Sequence, residues 1–262
     1  MKILVIGGTA DGRYLARALH DLGFDVIYSI AGIVRKATLP CPVISGGFTQ
    51  FGGLQQYVVD NDITNLADVT HPFAQKMSNK MVQVSENLAM PLLRFHRPQW
   101  QKKWNDNWIE VSDWAELIDL VTGAQYQSLF MTAGQVTQAI IDVLANQVNH
   151  VLLRTAMPVK INLPRNVTWV KAIGPFTLAH EKSLIEQYQI SAIISKNSGG
   201  DSTYAKIQAA AEASIPVYQF KRPELATTEF QCEDQASCLA LLTTMRNKQR
   251  KRVKPNDCNN EV

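Results

Sequence analysis

The sequence predicts an α/β protein of two units, each a mostly parallel sheet flanked by helices, with a cleft between the units. Three observations predict this class. Short apolar runs alternate with amphipathic segments, the rhythm of β-α-β connections that cover both faces of a parallel sheet with helices. The rhythm lapses over residues 98–108 and then restarts. The 262 residues, 46% of them apolar, are also long for one compact domain and comfortable for two. The boundaries drawn on this basis are 1–98, 99–245 and a basic, disordered tail over 246–262 that has no hydrophobic face.

Element by element, "KILVIG" is a buried strand, and Leu15, Leu19 and Leu22 follow at helical spacing up to Gly23, a natural helix stop. "DVIYSIAG" is the second strand and "PVIS" a short one; "GGLQQYVVDND" is helical and "LADVT" a strand. "FAQKMSNKMVQVSENLA" is a long helix closed by Pro91 and the strand "PLLRF". "RPQWQKKWNDNW" has no period and reads as a connection. Its aromatic and basic interleaving is compatible with single-stranded nucleic acid, but the weak overall charge favours tryptophans packing at a domain junction. After it come the strands "SLFM", "HVLLRTA", "VTWVK", "SAIIS" and "PVYQF", separated by helical "QVTQAIIDVLANQ", "FTLAHEKSLIEQYQ" and "TYAKIQAAAEAS", with "ASCLALLTTM" as a closing helix. The two units share a rhythm but no sequence repeat.

Composition narrows the function. A net charge of +3 is too small to argue for a nucleic-acid partner across the chain. Four cysteines (Cys41, Cys232, Cys238, Cys258) lack C-x-x-C spacing, which fits neither a zinc site nor a disulfide framework, so a reducing, cytoplasmic setting is expected and no metal site. Gly7, Gly8 and Asp11 break the first apolar run far short of a secretory signal, and no stretch approaches the roughly 20 apolar residues of a membrane helix.

The turn after the first strand, "GGTADG", is nearly a dinucleotide fingerprint. Gly7 and Gly12 stand where G-x-G-x-x-G requires, Thr9 replaces the second glycine, and Gly8 is extra. A helix starting near Asp11 would aim backbone N–H groups at a phosphate, unless the stretch is only a tight turn. The second strand ends in Ser29-Ile30-Ala31-Gly32 with no carboxylate for ribose hydroxyls, and Arg35 and Lys36 follow. A dinucleotide bound here would therefore be NADPH rather than NADH. "SGGF" (Ser45 to Phe48) and "THPF" (Thr70 to Phe73) lie at carboxyl ends of strands, where open α/β sheets place ligands; His71 is an acid, an orienting donor or a packing residue. In the second unit "TAGQ" (Thr132 to Gln135), "GPF" (Gly174 to Phe176) and "SKNSGG" (Ser195 to Gly200) also follow strands, and Lys206 adds charge to the last of them.

In order and spacing, "GGTADGRYLA", "SIAG", "GGF", "THPFA", "LLRFHRPQW", "GPF" and "SKNSGG…AK" resemble the precorrin-6A reductase family of cobalamin biosynthesis, including its cobalt-precorrin-6A branch. The resemblance implies two Rossmann-like domains, NADPH as hydride donor and a contracted tetrapyrrole substrate, one ring double bond of which is reduced. It also implies residue roles. Gly8, Thr9, Ala10, Asp11 and Gly12 would hold the pyrophosphate, and Ser29, Ala31, Gly32 and Arg35 the adenosine end. Gly46, Gly47, Phe48 and Thr70 to Phe73 (Thr70, His71, Pro72, Phe73) would border the nicotinamide. Thr132, Ala133, Gly134, Gly174, Pro175, Phe176, Lys196, Asn197, Ser198, Gly199 and Gly200, with Lys206, would meet the macrocycle's carboxylates. His71 and Lys196 are the candidate proton donors, solvent being a third, and other enzymes of the same pathway are conceivable partners. The chain departs from the family pattern at Ile33, where an arginine is usual after "AG", and in its loose "TAGQ". Two competing readings stay open. A different NADPH-dependent reductase is disfavoured because none of the 7 tyrosines has a lysine four residues later. The other is a non-catalytic NADPH-binding module.

Overall fold

The computed structural model describes residues 1–31 and 38–252. In chain order, β1 (Lys2–Ile6) leads through the glycine turn into α1 (Ala10–Asp21), followed by β2 (Asp25–Ile30), β3 (Val43–Ser45), a 3-10 turn (Phe48–Phe51), α2 (Leu54–Asp60), β4 (Asn65–Asp68), α3 (Gln75–Asn87) and β5 (Leu92–Phe95). Then come β6 (Trp108–Val111), α4 (Trp114–Ala124), β7 (Ser128–Met131), α5 (Gln138–Gln147), β8 (His150–Thr155), β9 (Val167–Lys171), α6 (Leu178–Gln187) and β10 (Ala192–Lys196). A second 3-10 turn (Asp201–Thr203), α7 (Ala205–Glu212), β11 (Val217–Phe220), β12 (Phe230–Cys232) and α8 (Gln235–Arg252) complete the described chain.

The strands form two sheets, ordered β12-β5-β4-β1-β2-β3 and β6-β11-β10-β7-β8-β9. Every ladder in both is parallel. Ile3, Leu4 and Val5 of β1 and Leu129, Phe130 and Met131 of β7 are fully buried, because a parallel strand covered on both faces needs apolar residues on both. The helices bury one stripe. In α1, Leu15, Ala16 and Leu19 pack on the sheet, Thr9 caps the start, and Gly23 leaves the helix at φ +74°, a value that favours glycine.

Two compact units result, one of Met1–Pro98 with the chain from Pro223 onward, the other of Gln99–Arg222. The second unit thus ends at Arg222 and not at 245. The reason is β12, which pairs with β5 (Phe230 with Leu93, Cys232 with Phe95) and brings α8 back to the first sheet. There Cys238 and Leu242, fully buried, join the cluster that holds Leu15 and Leu19. Residues 246–252, expected in a disordered tail, continue α8; the rest of that tail lies outside the described residues. The tryptophan-rich connection divides three ways. Trp100 and Trp108 are buried in the second unit's core, and Trp104 is 98% exposed.

Candidate active site

In the first sheet the strand order reverses at β1, between β2 on one side and β4 on the other, and doubly wound sheets bind ligands outside the carboxyl ends of the strands at such a switch point. The glycine turn lies here. Gly7 N–H donates to the Ser29 carbonyl (2.9 Å) and Gly8 N–H to the Tyr28 hydroxyl (2.9 Å). Thr9 bridges the switch point: its hydroxyl donates to the Val69 carbonyl after β4 (3.2 Å) and accepts from Gly12 N–H (3.0 Å). A side chain on Gly7 would place its Cβ 2.7 Å from the Tyr28 ring, and one on Gly12 3.1 Å from the Tyr28 hydroxyl. Tyr28 is fully buried, and burial raises its pKa, so it stays a neutral donor and acceptor beneath the turn.

Beside the turn, Asp68 at the end of β4 is 2% exposed and carries two duties. Oδ1 accepts from the N–H (3.2 Å) and hydroxyl (2.7 Å) of Thr70; Oδ2 pairs with Arg94 Nε (3.0 Å). Arg94, itself buried, donates onward to the Ala226 carbonyl (2.6 Å). The returning chain is therefore tied to the switch point. It touches again where Gln235 Nε2 donates to Asp11 (2.9 Å), whose carboxylate also pairs with Arg97. Next to Thr70, His71 Nδ1 accepts from Phe73 N–H (3.3 Å), which leaves the proton of the neutral ring on Nε2.

The second sheet repeats the arrangement, reversing at β7 between β8 and β10. The N–H and the hydroxyl of Thr132 both donate to the Ile194 carbonyl (2.8 and 3.0 Å), joining the turn after β7 to β10. Phe176 N–H donates to the Ser202 carbonyl (3.0 Å), and a Cβ on Gly174 would stand 2.7 Å from that oxygen, so glycine there allows the two turns to touch. Burial lowers the pKa of Lys196 at the end of β10.

Several expected contacts change. Phe48 is 6% exposed and turns its ring into the core with Leu54 and Tyr57, while Gly47 before it is exposed. The amide of Asn197 is spent on the backbone of Trp100, accepting from its N–H (2.9 Å) and donating to its carbonyl (3.0 Å). It anchors the connecting segment, and at 5% exposure the side chain is buried against that segment. Lys206 is 4% exposed and donates to the Thr203 carbonyl (2.7 Å), so it lies beneath the loop and does not project from it. Ala133 is buried, Ser198 shares a hydrogen bond with Thr203 (3.2 Å), and Gly134 and Gly199 adopt φ +88° and +70°. Gly32 and Arg35 lie outside the described residues. Tyr28, Asp68, Arg94, Arg154 and Glu181 escape a motif-based reading. A signal exists, however: a lone charge inside an apolar strand, as in "LADV", "LLRF" and "LLRT", must find a buried partner.

The first switch point fits a nucleotide pyrophosphate. With the N–H groups of Gly7, Gly8 and Gly12 satisfied internally, those of Thr9, Ala10 and Asp11 have no partner among the described residues and stand at the start of α1. Gly8, at φ +123°, has open space where a Cβ would be. The Asp11 carboxylate, which would otherwise repel an anion, is neutralised by Arg97. Strand order and turn together define a doubly wound α/β protein whose first turn has the geometry of a dinucleotide site.

The comparisons name the kind. The chain belongs to the precorrin-6x reductase CbiJ/CobK family, whose model matches residues 2–243. It is 33% identical over 247 residues to a precorrin-6A reductase of Rhodococcus erythropolis, covering 93% of this chain and 98% of that one. It is 36% identical over 226 residues to a precorrin-6A reductase of Mycobacterium tuberculosis, covering 86% and 90%. A solved structure of CobK precorrin-6A reductase superimposes with a TM-score of 0.84 at 30% identity, covering 93% of this chain and 97% of that one. A reductase family of this kind implies a nicotinamide cofactor. Among the described residues no helix is long and apolar enough to cross a membrane, and no group of three or more metal-ligating side chains occurs.

Proposed function

We propose that this protein reduces one ring double bond of precorrin-6A with NADPH, giving precorrin-6B and NADP⁺ with uptake of one proton. The observation that carries the reading is the family match over residues 2–243, joined to a glycine turn whose N–H groups suit a pyrophosphate. NADPH supplies the hydride when bound; the chain binds, orients and excludes water. Thr9, Ala10 and Asp11 hold the pyrophosphate through N–H groups, with Gly8 and Gly12 giving it room. The acid-free end of β2 favours the 2′-phosphate form, with Ser29, Ala31, Gly32 and Arg35 at the adenosine end. Gly46, Gly47, Thr70, Pro72 and Phe73 border the nicotinamide. In the second unit Gly134, the turn from Gly174 to Phe176, and Ser198 to Gly200 take the macrocycle's carboxylates. Both relatives quoted above are named for the metal-free macrocycle, which favours that form over its cobalt complex. We place the reaction in the cytoplasm, in keeping with buried free thiols at Cys41, Cys232 and Cys238.

His71 and Lys196 are the candidates to deliver the proton, His71 through Nε2 and Lys196 because burial makes its ammonium a readier donor. No dyad of acid and base stands out, so neither is expected to be essential. Loss of nicotinamide absorbance with precorrin-6A, and separately with its cobalt form, tests the reaction. No turnover with either removes it. His71→Ala and Lys196→Ala should each lower kcat by less than about 10³-fold, within the span of general acid–base help; a larger loss in either would make that residue the donor.

A further inference from the structure

Beneath the turns of the second unit lies a buried set of charges that the reaction does not use directly. Arg154, at the end of β8, is 6% exposed and donates from Nη1 to Glu181 Oε1 on α6 (2.7 Å). Its guanidinium lies 4.7 Å from the ring centroid of Phe130 and 3.8 Å from that of Phe176. Lys206 on α7 donates to the Thr203 carbonyl and lies 4.8 Å from the Trp100 ring centroid. Phe176 and Thr203 belong to the two turns that meet at Ser202. One buried set therefore supports both.

The set is unbalanced. Two cations face one carboxylate, and Oε2 of that carboxylate, also buried, makes no hydrogen bond among the described residues. A buried excess of positive charge is costly unless an anion approaches or a proton leaves.

We infer that Lys206 is a positioning residue for the substrate. It fixes the 197–203 turn from below and carries the positive charge that a macrocycle carboxylate on that turn would balance, with protein charge and bound carboxylate arriving together. Burial is the first cause that brings the pKa of Lys206 down to about 7, the charge of Arg154 adds to it, and Glu181 opposes both. Among the described residues, Arg154 and Glu181 are the charged groups whose fields act on it. Around neutrality the free protein thus holds Lys206 partly neutral. A carboxylate bound above it favours the ammonium, so binding takes up a proton. The sign follows: affinity is full below pH 7 and falls as pH rises through it, because the proton must then be drawn from solution. The Kd approaches a tenfold increase per pH unit until the pKa of the bound form is reached.

This rests on the functional reading above, and the test separates the two. Binding of precorrin-6A to the full chain without NADPH is followed by the macrocycle's own absorbance from pH 6 to pH 9. The wild-type Kd should rise above pH 7. In Lys206→Met it should be raised about tenfold or more at pH 6 and flat with pH, while in Lys206→Arg it should be flat and low. A wild-type Kd independent of pH overturns the inference, and that measurement needs no variant, so a misfolded Lys206→Met offers no shelter. Lys206→Met that folds and keeps the wild-type profile also overturns it. pH-dependent binding with no NADPH oxidation instead overturns the functional reading and leaves Lys206 its role. No binding at all overturns both.

Discussion

One residue does three things at the first switch point. Thr9 caps α1, bridges to β4 through the Val69 carbonyl, and leaves its own N–H for a ligand. A glycine at this position, as in the usual fingerprint, would perform only the last. Thr9→Val keeps the shape and removes both hydrogen bonds. It is expected to cost about 1–2 kcal/mol in denaturant unfolding, the scale of a lost cap, and to raise the Kd for NADPH several-fold as the turn loses its tie to β4. Thr9→Ser should keep both properties near wild type. Unchanged NADPH affinity in Thr9→Val would mean that the backbone alone positions the turn. Much of the site is legible in the sequence because glycines, a cap and an acid-free strand end are local signals. Tyr28 is not legible: in "DVIYSI" it reads as one more strand residue, and only the parallel register that sets it beside Val5 shows that it fills the space under Gly7. The buried positions of Asn197 and Lys206 are illegible for the same reason. Their residue types suit a ligand, but the folded chain uses them on the Trp100 and Thr203 backbones.

At the scale of elements, the long strand–helix alternation is legible and its edges are not. β6 lies in a polar, tryptophan-rich stretch and β12 spans three residues, so neither carries a periodic signal; each is a strand because it meets an unpaired edge, β11 and β5 respectively. The same blindness moves the domain boundary, since without β12 nothing in "ASCLALLTTM" says which sheet its helix covers. α8 is more than a terminal ornament. Leu242 and Cys238 sit in the cluster of α1, and Arg246 stacks on Phe24 (3.9 Å) while donating to the Leu22 carbonyl (2.8 Å). Leu242→Ala should therefore destabilise the protein by about 2–5 kcal/mol, the range for a fully buried leucine. Because α8 reaches the glycine turn through Gln235 and Asp11, NADPH should recover part of that loss in a thermal melt. A Leu242→Ala protein as stable as wild type would show that the helix merely rests on the sheet.

As a whole, the molecule uses one strand order twice. In each sheet five strands come in the sequence third-second-first-fourth-fifth, and a sixth is added at the same edge: β12 in the first, which follows its unit by more than a hundred residues, and β6 in the second, which precedes its own. The second unit is a single run of chain from Gln99 to Arg222, and the first is not. Expressed alone, residues 99–222 should unfold cooperatively in urea, and residues 1–98 alone should not, since their outer strand β5 is left open and Leu15 and Leu19 lose part of their cover. Cooperative unfolding of the 1–98 fragment would sink this account.

The delayed sixth strand also bears on how the protein is made. Domains usually fold in the order in which the ribosome releases them, N-terminal first. Here the nascent N-terminal sheet must wait, with β5 uncovered, through synthesis of the entire second unit until β12 follows. The half that carries the glycine turn is the first to be translated and the last to be finished.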